Sequence, residues 1–126
     1  MSENTEVSAL LPLPAATFHI LVALVEDDRH GYGIMQDVAE RTGGELRLAA
    51  GTLYRSIQRM LEQGLILEVP NTSVRRPEGA FRNDHDPRRR YYRITALGTA
   101  VARAEAGRLA GLVKLARAAG LVPGKA

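Results

Sequence analysis

The chain has no cysteine, no tryptophan and only 5% aromatic residues. Without cysteine there can be no disulfide, thiolate metal ligand or cysteine nucleophile, and that fits a reducing cytoplasm. The scarcity of aromatics leaves alanine, leucine and valine to supply most of the buried surface, which suits close helix packing better than a β-sandwich. Long apolar runs are missing too: the longest, Ile20 to Val25, is far too short to cross a bilayer. Glu3 and Glu6 stand where a signal peptide would carry positive charge. A cytoplasmic protein without a membrane partner is expected. His19, His30 and His85 are the only histidines, none has a second ligand at metal spacing, and no phosphate-loop glycine pattern occurs. We therefore expect no catalytic residue, no metal and no cofactor, and do not read the chain as an enzyme.

What is present fills one domain of 126 residues, 45% of them hydrophobic. Its charge is unevenly spread. Residues 1–49 carry 8 acidic and 3 basic groups, whereas residues 70–126 carry 12 basic and 4 acidic ones. An acidic first third and a basic remainder point to an anionic partner approached from one side.

Residues 1–13 lack periodicity and read as a flexible arm. Pro14 suits the first turn of a helix, and Phe18, Leu21, Val22 and Val25 recur at helical spacing to about Glu26. A polar break at Asp27–Gly31 precedes a second helix with Ile34, Met35 and Val38 inward, closed by Gly43 and Gly44. Leu46 and Leu48 flank Arg47 in the alternation of a short strand. A third helix is expected from about Ala50 to Gln63. With Leu53 at 0°, Ile57 falls at about 40°, Met60 at about 340° and Leu61 at about 80°, which is a single apolar stripe. Leu65–Val69 and Arg90–Thr95 read as strands joined by a long loop rich in Pro, Asn, Gly and Arg. Thr95 can cap a last helix that runs to Ala119, before Gly120 and Pro123.

Two helices with a short break between them, the second presenting a polar and partly basic face, fit a helix-turn-helix. A duplex offers phosphates and base edges, so its reader needs cations, hydroxyls and amides on one protruding face. Thr52, Tyr54, Arg55, Gln58 and Arg59 supply these types. Arg55 and Arg59 point the same way; either a guanine edge or a phosphate suits them, and the helix alone also fits an ordinary solvated face. The loop adds Arg88, Arg89 and Arg90 in succession, with Arg75, Arg76 and Arg82 nearby, while Asp84 and Asp86 partly offset them. A basic hairpin beside a reading helix can lie along a groove and release counterions. On the last helix Leu97, Val101, Ala104, Leu109, Leu112, Val113 and Ala116 form an apolar set that a small domain has little left to cover, so they are expected to build a homodimer.

Taken together these residues resemble the PadR-like transcriptional regulators. The resemblance rests on His30-Gly31-Tyr32-Gly33-Ile34, Gly51-Thr52-Leu53-Tyr54, Leu61-Glu62-Gln63-Gly64-Leu65-Ile66, and Arg90-Tyr91-Tyr92 leading into Ile94-Thr95-Ala96-Leu97-Gly98. They occur in the family's order over about residues 15 to 100. The resemblance implies a winged helix-turn-helix, mainly α with a small β-hairpin, dimerising through the C-terminal helix with help from the first. It implies repression from a palindromic double-stranded promoter site, relieved in many members by a small aromatic or drug-like molecule. Thr52 and Tyr54 match positions near DNA, the Arg before Tyr91 matches the basic base of the wing, and Tyr32 matches a position of packing or phosphate contact. Three features depart from the pattern: Arg55 replaces the usual Pro, Ala49 or Ala50 replaces a hydroxyl cap, and the loop 70–89 is longer than most wings. The layout is then an arm at 1–13, a winged domain at 14–95, a dimerisation helix at 96–119 and a tail at 120–126. The competing reading is a winged-helix module that binds protein and not DNA.

Overall fold

Residues 15–24 are apolar on nearly every side, the composition of a helix meant to be surrounded. In the computed structural model, which describes residues 3–75 and 89–123, they form a helix (α2, Ala15–Leu24) whose Ile20, Leu21 and Leu24 are wholly buried. Helices α3 (Gly31–Arg41), α4 (Ala50–Gln63) and α5 (Ala96–Ala118) pack around it. The inward face is Thr17, Ile20, Leu21, Ala23 and Leu24, so Val25 is left outside, contrary to the periodicity drawn from Phe18.

Helix α4 has the expected bounds, with Leu53, Ile57 and Met60 buried. No side chain caps its start at Ala49, and Gly64 ends it in the left-handed conformation (φ 78°). Strands β2 (Ile66–Val69) and β3 (Tyr91–Ile94) then pair antiparallel, with Val69 opposite Tyr91 and Ile66 opposite Ile94. Thr95 begins α5 as its sequence promises. Its hydroxyl accepts from the Gly98 N–H at 3.0 Å and reaches the Gly64 carbonyl at 2.7 Å, tying the start of α5 to the end of α4.

Three expectations need correction. The polar break holds a strand: β1 (Arg29–His30) pairs with β3, giving a sheet of order β1-β3-β2 with β3 in the middle. Leu46 and Leu48 form no strand; Leu48 is buried and Leu46 packs on the core, so their alternation serves packing, not pairing. The arm contains a helix, α1 (Glu3–Ala9), lying on α5, and Val7 and Leu13 join the core. No described helix is long and apolar enough to cross a membrane.

Candidate nucleic-acid interface

The turn between α3 and α4 is fixed locally. His30 Nδ1 accepts from the Gly33 N–H at 2.9 Å and so caps α3. At the far end Gly43 and Gly44 take positive φ, and the Thr42 hydroxyl donates to the Val38 carbonyl (2.9 Å) and accepts from the Leu46 N–H (3.0 Å). Because Leu53, Ile57 and Met60 turn inward, Tyr54, Arg55, Gln58 and Arg59 face outward and are all exposed. Thr52 is half-buried on the same helix. Gln58 donates to Glu62 at 3.4 Å. The Arg55 guanidinium folds back over the first turn of α4, where Gly51 leaves it room.

Tyr54 reaches across to α3. A methyl group at Gly31 would collide with the Tyr54 phenol, so glycine at that position permits the close approach of the two helices. Beside this contact His30, Gly31, Tyr32, Tyr54, Arg89, Arg90 and Tyr92 line a cleft of about 310 Å³ between the helix-turn-helix and the base of the wing. Tyr32 is 55% exposed at its mouth. Arg89 Nη1 lies 2.8 Å from His30 Nε2, and Arg90 Nη1 lies 3.9 Å from Glu68. Burial, with Glu68 nearby, raises the Tyr92 phenol above its ordinary pKa and keeps it neutral. The cleft thus offers cations and phenolic hydroxyls of the kind that contact phosphate. Arg88, Arg76 and Arg82 lie outside the described residues.

Sequence reasoning missed the residue that fastens this end of the molecule. Asp28 is buried in the break before β1. It receives Arg93 Nη2 at 2.8 Å, the Arg75 N–H at 2.7 Å and Arg75 Nε at 3.1 Å. Burial pushes its carboxyl upward in pKa, but the hydrogen bonds from Arg93 and Arg75 outweigh this and hold it below the usual range. Two of the arginines around the loop are therefore engaged by an internal carboxylate. Their signal in the sequence was only Asp28 itself, one of two adjacent aspartates in a polar break.

The proposed dimer residues divide. Val101 is wholly buried, and Leu97 and Ala104 pack against the core, because α1 and α2 cover the first turns of α5. These three serve the chain's own core, which corrects the expectation for Val101 outright. Leu112 and Val113 are 49% and 44% exposed, with Leu109 and Ala116 half-buried beside them. Leu115, at 68% exposed, extends the bare surface.

Comparison with known proteins agrees with the fold. The model of the transcriptional regulator PadR-like family matches residues 20–104. An uncharacterised protein of Lysinibacillus sphaericus is 37% identical over 81 residues, 64% of this chain; the chain spans 65% of that relative's length. A transcriptional regulator from Clostridium thermocellum superposes with a TM-score of 0.62 at 23% identity, covering 80% of this chain and 88% of that one. RosR of H. salinarum in its hsRosR-S4 complex gives 0.57 at 19% identity, covering 94% and 98%. The circadian clock associated protein Pex from Anabaena gives 0.52 at 19%, covering 90% and 99%. At these identities the structural likeness is one of fold.

Proposed function

Because the chain belongs to the PadR-like family of transcriptional regulators, a family of regulators and not of enzymes, we propose that it binds double-stranded promoter DNA sequence-specifically as a homodimer. The observation that carries the reading is the outer face of α4. Tyr54, Arg55, Gln58 and Arg59 stand exposed opposite the buried Leu53, Ile57 and Met60, next to a cleft carrying Arg89 and Arg90. That face combines base-reading side chains with phosphate-gripping ones on a helix already fixed to the core. The uncovered side chains of α5 support the dimer, whose two-fold symmetry asks for a palindromic site. Repression of the promoter in the cytoplasm, and release by a small molecule, complete the reading; with no tryptophan in the chain, an aromatic-lined effector pore is not part of it.

The test is selection of duplexes from a random pool, followed by affinity measurements at several salt concentrations. The expected result is a palindromic consensus bound far more tightly than random DNA, both affinities falling steeply with salt. Arg55→Ala should relax the consensus and cost about 1–3 kcal/mol if its guanidinium reads a base. Absence of duplex binding even at low salt would turn the reading to a protein-binding module.

A further inference from the structure

On the side of α4 away from the wing lies a second groove of about 470 Å³, between α4 and the start of α2. Pro14, the residue before α2, and Thr17 line it on one side; Arg55, Ser56, Gln58, Arg59 and Glu62 line it from α4. Its α2 wall is a free helix N-terminus. The first intrahelical bond runs from the Phe18 N–H to the Pro14 carbonyl at 3.1 Å, no side chain caps the helix, and no acidic residue sits in the first turn. The amides of Ala15, Ala16 and Thr17 therefore precede the ladder and form the positive end of the helix dipole. Thr17 makes the second observation. It is 95% buried, being 5% exposed, it lines the groove, and its hydroxyl has no hydrogen-bond partner among the described residues. A buried hydroxyl without a partner destabilises the fold, and valine would fill the same space without that cost. Arg55 and Arg59 make no ion pair among the described residues. Glu62 opposes an anion here, but it is outnumbered by the two arginines and is hydrogen-bonded by Gln58 at 3.4 Å.

We propose that this groove seats a backbone phosphate of the DNA read by α4, with the Thr17 hydroxyl and the first-turn amides of α2 donating to the phosphate oxygens and Arg59 supplying the counter-charge. The proposal rests on the DNA-binding reading and deepens it. A helix in the major groove has a phosphate strand on each flank, and α4 has a cleft on each flank: Arg89 and Arg90 on the wing side, Thr17 and Arg59 on the other. Arg59 is then assigned to phosphate rather than to a base.

Thr17→Val and Arg59→Gln are compared with the intact protein on the selected operator and on random duplex, over a range of salt. Thr17→Val should fold at least as stably as the parent yet bind both duplexes about tenfold more weakly, the scale of one charge-assisted hydrogen bond. Its salt slope should not change, because the substitution removes no charge. Arg59→Gln should weaken both duplexes alike and flatten the salt slope by about 0.9 for each phosphate that the side chain no longer neutralises. A neutral methylphosphonate walked through the operator should find one position per half-site where the parent loses affinity and Thr17→Val loses nothing further. Unchanged DNA affinity in Thr17→Val while the parent binds tightly overturns the groove and leaves the DNA reading standing. So does an Arg59→Gln loss confined to the operator, which would make Arg59 a base reader. Inorganic phosphate, titrated alone at matched ionic strength, is the remaining arm: binding abolished by Thr17→Val with DNA affinity intact would put a free anion in the groove and overturns the proposal. A parent that binds no duplex sinks both readings together.

Discussion

The two halves of α5 share one face and differ in what lies opposite it. With Gly98 at 0°, Val101, Ala102 and Glu105 fall within about 60° of it, and so do Leu109, Leu112, Val113 and Ala116. The first set is buried by α1 and α2, with Leu65 and Ile94 against Gly98; of the second, Leu112 and Val113 are nearly half exposed. Glu105 marks the border. Its carboxylate accepts from Arg108 Nε and Nη2, both at 2.8 Å, and from the Leu13 N–H at 3.4 Å, where the helix begins to leave the domain. An apolar stripe says that a surface will be covered, but not by which chain. The covered half anchors the helix, and the bare half is the part the proposed dimer needs.

The largest test of this contrast falls on the covered half. A Cβ at Gly98 would run into the Leu65 carbonyl oxygen and stand 2.9 Å from Ile94 Cγ1. The carbonyl belongs to the backbone at the end of α4, which cannot swing aside as a side chain would. Gly98→Ala should therefore cost about 3 kcal/mol in urea denaturation, at the upper end of overpacking effects. A variant as stable as the parent would mean that α5 does not sit where the contact requires.

On the bare half the expected loss is in association, not folding. Leu112→Glu should raise the dimer dissociation constant by about 100-fold, or roughly 2.7 kcal/mol, since a symmetric interface would bury the charge twice. Light scattering across a dilution series should show a folded monomer where the parent is dimeric. Val101→Glu, on the same face and three turns earlier, should unfold the domain instead. Equal dimerisation in Leu112→Glu would place the interface elsewhere.

Asp28 fastens the wing as Glu105 fastens α5, and the two can be separated by pH. Removing the Asp28 charge as Asn should cost about 2 kcal/mol, less than a fully buried pair because Arg93 and Arg75 remain partly solvated. Both carboxyls have folded pKa values below their ordinary ones: Asp28 because Arg93 and Arg75 outweigh its burial, Glu105 chiefly because of the Arg108 hydrogen bond. Such groups contribute stability that is complete above the ordinary carboxylate range of about 4 and is lost as pH falls through the lower folded values. Melting temperature should hold from pH 7 to about 5 and then decline. In Asp28→Asn the acid decline should be shallower, and an unchanged decline would remove Asp28 from the account.

Much of this arrangement was legible because local pattern and tertiary demand coincide. Helix α4 could be bounded from Leu53, Ile57, Met60 and Gly64 because its stripe faces one core and its cap needs glycine. The readings that failed depend on partners distant in sequence. Strand β1 is two residues long and exists because Tyr91 and Tyr92 lie beside it, far along the chain, so no period announces it. Helix α1 turns only Val7 into the core, and one apolar residue makes no pattern. Arg75 reads as a charge for DNA until the fold brings Asp28 to it. In the candidate interface the outward residues of α4 were legible from the angle alone, whereas Thr17 was not. A threonine in an apolar helix becomes informative only when its hydroxyl proves to be buried without a partner among the described residues.

The smallest effect gives the finest test of the two halves, because it uses the same substitution that should cripple Gly98. Gly107 and Gly111 lie on the opposite side of α5, at about 180° and 220° from Gly98. An added Cβ would meet nothing within 4 Å at either position. Alanine removes conformational freedom from the unfolded chain and favours the helix, so each change should stabilise by about 0.5–1 kcal/mol. Neither should alter association if the partner covers the Leu109–Ala116 face, since both methyls would point away from it. Stabilisation with the dimer intact would therefore place the bare face where the covered half predicts. A weaker dimer from Gly111→Ala would mean that two helices approach closely along the glycine side, and the continuity between the two halves would be broken.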